Sequence, residues 1–171
     1  MCDRARHQVA RVSRLALLFA AVSACGSSVS AQSADPDERL LLGTWQLDPA
    51  QSRYFPGPAP RSETRVYTEV GGEIHGVITR TYPDGRAETI EYTANAGREQ
   101  AVTGTPAYDA ITLTKAGNRT WVSTLSHAGM VFGTARRVIS EDGRTMTITF
   151  ERKTTGETVR NVAVYRRQAG P

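Results

Sequence analysis

From residue 40 onward, apolar and polar residues alternate one for one along much of the chain. Met146, Ile148 and Phe150 fall on one side of an extended backbone, with Thr145, Thr147 and Thr149 on the other. Ile111 and Leu113 alternate with Ala110, Thr112 and Thr114, and Ile90 and Tyr92 with Thr89, Glu91 and Thr93. A period of two belongs to a strand with one face buried. Thr, Val, Ile and Tyr dominate the region, which is the usage that suits a pleated surface. No comparable stretch spaces its apolar residues at the helical period.

Turn signals divide this pattern at regular intervals. Gly71-Gly72, Asp84-Gly85, Ala96-Gly97, Gly117-Asn118, Ala128-Gly129, Asp142-Gly143 and Gly156 mark bends, and Gly104-Thr105-Pro106 interrupts the one long gap. Asp-Gly between alternating segments is a strong hairpin signal. The pattern predicts about ten strands, near 41–48, 62–70, 73–82, 87–94, 98–104, 109–115, 119–126, 130–140, 145–153 and 158–167. Tight links make sequence neighbours into sheet neighbours. The expected fold is all-β, an antiparallel up-and-down meander that closes into a barrel, since closure alone removes the open edges. The first link is different. Residues 49–61 carry Pro49, Pro56, Pro58 and Pro60 with Gly57, and read as a stiffened loop that crosses one end of the barrel.

Ahead of residue 40 the alternation is absent. Arg4, Arg6, Arg11 and Arg14 precede the apolar run Leu15-Ala16-Leu17-Leu18-Phe19-Ala20-Ala21, which leads into Val22-Ser23-Ala24-Cys25. A basic start, a short apolar run and small residues at a cleavage point make a secretory leader over 1–24. The run is too short to span hydrocarbon, which takes about 20 apolar residues. Two cleavage points fit: before Cys25, or after Ala31 in Val29-Ser30-Ala31, which releases a chain starting at Gln32. Residues 25–39 hold little that can be buried and read as a flexible tether, ahead of one domain over 40–168.

Removing the leader changes the electrostatics. The whole chain has 21 basic and 17 acidic residues. The leader takes four and one of them, leaving 17 against 16, about +1. No basic stripe remains to argue for nucleic acid. Cys2 and Cys25 are the only cysteines, so the domain after the leader forms no internal disulfide in a compartment that permits one. It is expected to hold together by packing alone, around a single core.

Two features resemble known families. Val22-Ser23-Ala24-Cys25 is similar to the lipobox of bacterial lipoproteins, which implies lipidation at Cys25. Gly26 in place of an acid then implies sorting to the periplasmic side of the outer membrane in a Gram-negative cell, while cleavage after Ala31 implies a soluble exported protein. Gly43-Thr44-Trp45, opening the first strand, resembles the Gly-x-Trp signature of lipocalins. The wider run from Leu42 to Ser52 and the meander after it are similar to bacterial lipocalin-like domains. That resemblance implies a barrel floor built on Gly43 and Trp45, with the tryptophan packed on an arginine from a late strand. Arg137, Arg166 and Arg167 are the available positions. It also implies a lumen, for which Trp121, Phe132, Phe150 and Tyr165 are the lining candidates. The related fatty-acid-binding barrels clamp a carboxylate with an Arg two residues before a Tyr in the last strand. Here that position is Ala163, so that clamp does not carry over.

The domain shows no catalytic constellation. His75 and His127 lack metal-ligand spacing, and Ser126-His127 are adjacent on a strand, so their side chains diverge. Glu88 and Glu91 straddle two faces, and Glu141-Asp142 suit turn geometry. No phosphate loop or dinucleotide fingerprint is present. No cofactor and no metal are therefore expected. The reading is binding of a small, mostly apolar molecule, against a non-catalytic envelope interaction or inhibitor module with a filled barrel. An enzyme on the same barrel is the third possibility, for which no site is visible. Interior volume separates the first two. The strands are short for a membrane-spanning barrel and their second face is threonine and charge, so a water-soluble domain attached through lipid alone is expected.

Overall fold

The computed structural model describes residues 38–154 and 156–170. The leader over 1–24, Cys25, the second cleavage point and most of the tether lie outside these residues. The chain enters through one turn of 3-10 helix, Glu38–Leu40. Eleven strands follow: β1 (Gly43–Leu47), β2 (Arg53–Phe55), β3 (Ser62–Val70), β4 (Glu73–Thr81), β5 (Ala87–Ala94), β6 (Glu99–Thr103), β7 (Ala110–Gly117), β8 (Thr120–His127), β9 (Met130–Ile139), β10 (Thr145–Thr154) and β11 (Glu157–Arg167).

Ten of them form the antiparallel meander, in the order β1-β3-β4-β5-β6-β7-β8-β9-β10-β11. β1 then pairs β11, with Trp45 opposite Arg167 and Leu47 opposite Tyr165. That last pairing closes the sheet into a barrel and satisfies both of its edges.

The loop over 49–61 is more structured than its prolines predict. It contains a 3-10 turn, Pro49–Gln51, and the three residues of β2. The reason lies in β11, which runs for 11 residues. β1 covers only its last three, and β2 takes up an earlier stretch, pairing Tyr54 with Asn161. Backbone groups that would otherwise have no partner are thereby used, and the Phe55 N–H donates to Asn161 Oδ1 at 3.0 Å.

Inward residues follow the period of two on most strands. Ile78, Ile90, Tyr92, Ile111, Leu113, Ile139, Met146 and Ile148 are buried. β3 breaks the rule. Its β-branched residues Thr64, Val66 and Thr68 face outward, while Glu63, Arg65 and Tyr67 are buried. Charge therefore enters the barrel from the strand beside β1.

Candidate functional site

One end of the barrel is shut. Trp45, Leu41, Ile139 and Met146 are buried there, and the Trp45 Nε1–H donates to Leu41 O at 2.9 Å. Of the three candidate arginines, Arg167 packs on the tryptophan, its Cζ 4.1 Å from the ring centroid. Its guanidinium also donates to Gly143 O at 2.7 Å, to Leu42 O at 2.5 Å and to Leu40 O. Arg166 points outward to Asp48 and Thr145. Arg137 points into the lumen. Gly43 belongs to the same floor, because its φ of +118° is unfavourable for any side chain and a Cβ there would meet Arg167 Nη1 at 2.8 Å.

Above the floor lies a cavity of about 300 Å³. Its wall carries the rings of Tyr54, Tyr92, Tyr108, Phe132, Phe150 and Tyr165. Pro56, Pro58 and Pro60 line the same space, which puts the 49–61 loop at the mouth. Phe132 reaches the wall through a β-bulge. Leu125 pairs with Gly133 and Ser126 with Val131, leaving Phe132 as the extra residue, and a bulge re-aims the side chain it carries. Phe132 then packs between Tyr108 and Phe150, each ring centroid 6.1 Å away. Arg152 stands over its face at 4.7 Å.

The polar side of the cavity is an ionic network around Glu63. Its Oε1 accepts from Arg65 Nε and from the Tyr165 hydroxyl, each at 2.6 Å, and its Oε2 accepts from Arg80 Nε at 2.6 Å. Burial alone would raise the Glu63 carboxyl, but the two guanidinium charges outweigh it and hold the group down at about 2. Tyr54 is affected in the opposite sense, pushed up to about 12 by burial and by the Glu63 charge. A buried ion is tolerated only when paired and hydrogen-bonded, and Glu63 meets that condition fully.

A second polar group sits further from the mouth. Arg137 is 3% exposed. Its Nη1 donates to Ser123 Oγ at 2.5 Å, but its Nε is buried without a partner, as are the hydroxyls of Tyr67 and Tyr92. The two tyrosines flank Gly76 in register on neighbouring strands. A Cβ at Gly76 would come within 2.6 Å of Tyr92 Cζ, so glycine is what lets that phenol lie across β4. Burial would raise the Tyr67 phenol, yet the charges of Arg137 and Arg65 bring it down to about 8.

Phe132, Phe150 and Tyr165 are on the cavity wall. Trp121 is a correction: it is buried but is not among the cavity's lining residues. It is opposite Arg137 near the start of β8, at the barrel end that Trp45 shuts, where it serves as packing. His127 is exposed, with Nδ1 3.6 Å from Asp109 Oδ2, while Ser126 donates instead to Glu99 at 3.1 Å. Glu88 accepts from Tyr82 at 2.9 Å and Arg86 at 2.8 Å at the rim, and Glu91 is exposed. Asp142 accepts from Ser140 and Arg144 within its own turn, and Glu141 meets Arg119 on the surface. No metal-holding group of three or more His, Cys, Asp or Glu occurs among the described residues. Glu63, Arg65, Arg80 and Tyr67 were not legible as site residues. The available signal was the shared parity of Glu63, Arg65 and Tyr67 on one face of a strand.

No protein-family model matches the chain, and no curated protein matches it. Among solved structures the chain is similar to zebrafish ileal bile acid-binding protein complexed with cholic acid, at 13% identity and a TM-score of 0.48, covering 75% of this chain and 99% of that one. The barrel itself rests on the closed hydrogen-bonded strand order of this chain.

Proposed function

We propose that this protein is an exported barrel that holds a small, mostly apolar molecule in its lumen. The observation that carries the reading is the cavity of about 300 Å³ that sets aromatic rings against a polar cluster of Glu63, Arg65, Arg80 and Arg137. Apolar concave sites with a few convergent polar groups are the usual form of small-molecule pockets. A filled-barrel interaction module needs a solid interior, and the lumen tells against it. The outer strand faces carry Thr64, Thr79, Glu91, Arg136 and Arg160, which suits water more than lipid.

The leader and Val22-Ser23-Ala24-Cys25 support export, with Cys25 as the lipid-bearing residue and the barrel carried on the tether at the periplasmic face of the outer membrane. Titration of the purified protein with N-phenyl-1-naphthylamine, a neutral polarity-sensitive dye, tests the ligand reading. Saturable, blue-shifted emission near one dye per chain is expected, and weaker binding in Ala163→Leu, which adds bulk to the cavity wall. Absence of saturable binding to a folded protein would refute it.

A further inference from the structure

Within the lumen the charges do not balance. Arg65, Arg80 and Arg137 line the cavity with Glu63 as the one carboxylate among its lining residues, an excess of two positive charges. Glu63 is shared between Arg65 and Arg80. Glu88 stands at the rim, 2.8 Å from Arg86 and 3.8 Å from Arg80. Arg137 has no carboxylate partner among the described residues; its Nη1 donates to a neutral serine, and the Tyr67 phenol acts on it from β3. A buried cation without a counter-ion is costly, and leaving a buried donor unused adds to that cost.

Each of the unused groups can donate, and the hydroxyls can also accept. Arg137 Nε–H, the Tyr92 hydroxyl and the Tyr67 hydroxyl are buried and unpartnered. Arg137 and Tyr92 are on the cavity wall, and Tyr67 is not. The depressed Tyr67 phenol reports the positive potential at this spot. Donors together with an uncompensated guanidinium suit an oxyanion and not a neutral acceptor. A cavity of about 300 Å³ lies at the lower end of the usual range for small-molecule sites, so the molecule is small. Its body meets the rings of Tyr54, Tyr108, Phe132 and Phe150, which favour a flat apolar frame.

We infer that the lumen takes a small amphipathic acid, whose single carboxylate-type head is received by Arg137 Nε and the Tyr92 hydroxyl while its flat apolar body lies among the aromatic side chains toward the mouth. This rests on the ligand-binding reading and gives it a ligand class. The acid site lies between β5 and β9, away from the last strand.

Naphthalene-2-carboxylate and naphthalene-2-carboxamide differ in charge and little else. Calorimetric titration of each into the purified protein at pH 7 is expected to show the acid binding tighter by about tenfold or more. In Arg137→Gln that ratio falls toward one. In Tyr92→Phe, which keeps the ring and removes only the hydroxyl, it falls by roughly threefold to tenfold, so the test survives if the arginine variant misfolds. Equal binding of acid and amide to the wild type overturns the inference, as does a ratio unchanged in Arg137→Gln or in Tyr92→Phe. Dye binding without acid preference sinks this inference alone. Failure of the dye and of both naphthalene compounds sinks the ligand-binding reading with it.

Discussion

Arg167 lies over the Trp45 ring with its Cζ 4.1 Å from the centroid, and the two residues face each other across the pairing of β1 with β11 that closes the barrel. The stack therefore sits on the seam. Arg167→Ala removes the ring contact and the bonds to Gly143, Leu42 and Leu40, and is expected to cost about 2–4 kcal/mol at roughly 1 kcal/mol per hydrogen bond. Gly43→Ala forces a side chain into φ +118° and against Arg167, at about 1–3 kcal/mol. Arg166→Ala, on the exposed face, is expected to stay within about 0.5 kcal/mol. Urea unfolding of the three variants checks the ranking, and equal effects at positions 166 and 167 would contradict it.

Glu63 makes the barrel acid-sensitive in a specific window. Its carboxyl is held at about 2, below the ordinary value of 4.5, so the unfolded chain binds that proton first as pH falls. The stabilisation is present above about 4.5 and is lost as pH falls toward 2, to the extent of about 3 kcal/mol. Glu63→Gln is expected to flatten this part of the pH–stability curve and to destabilise at neutral pH, by about 3–5 kcal/mol, because Arg65 and Arg80 lose their shared partner. Denaturation series from pH 2 to pH 7 measure both effects.

Tyr67 is expected to ionise near pH 8, ahead of Tyr54 near 12. The charged and titratable groups acting on it are Arg65 on its own strand, Arg137 from β9 and Tyr92 from β5. Absorbance at the tyrosinate band should show one early titration that disappears in Tyr67→Phe. Phenolate and a bound acid compete for the same positive potential, so the preference for naphthalene-2-carboxylate should weaken above about pH 8 and the bound acid should raise the Tyr67 midpoint. A preference constant from pH 6 to pH 10 would separate Tyr67 from the acid site.

Anchoring is tested at Cys25. Two acyl chains plus an N-acyl group give stable attachment where one chain is marginal. Cys25→Ser is expected to abolish labelling by a radioactive fatty acid and to move the protein out of the membrane fraction. The intact mass of the wild type should begin at Cys25 with added lipid, whereas an unmodified chain beginning at Gln32 would establish simple secretion.

Much of the architecture was legible because it is local. One-sided strands such as Thr145–Phe150 declare their period within six residues, and each Gly-containing bend declares where the chain reverses. A meander of such hairpins has little choice but to bring its two ends together. The site was less legible because its parts are far apart in the chain. Glu63, Tyr92, Arg137 and Tyr165 come from β3, β5, β9 and β11, and nothing in any one segment announces that they converge.

β3 shows where local pattern and tertiary structure disagree. Thr64, Val66, Thr68 and Val70 share one face and, by β-branching, look like the buried side, while Glu63, Arg65, Tyr67 and Glu69 look like the wet one. The register reverses this. Arg167, Trp45, Arg65, Ile78 and Ile90 lie opposite one another on successive neighbouring strands, and residues in register share a face of the sheet. With Trp45, Ile78 and Ile90 inward, Arg65 has to be inward too, since a slip of one residue would turn every side chain on the strand. The amino-acid sequence by itself determined a closed all-β meander with a tryptophan at its start and a proline-rich loop after it. Only the tertiary structure decided which arginine meets that tryptophan and that three guanidiniums share the lumen with a single carboxylate, because strand register couples residues that local periodicity treats one segment at a time.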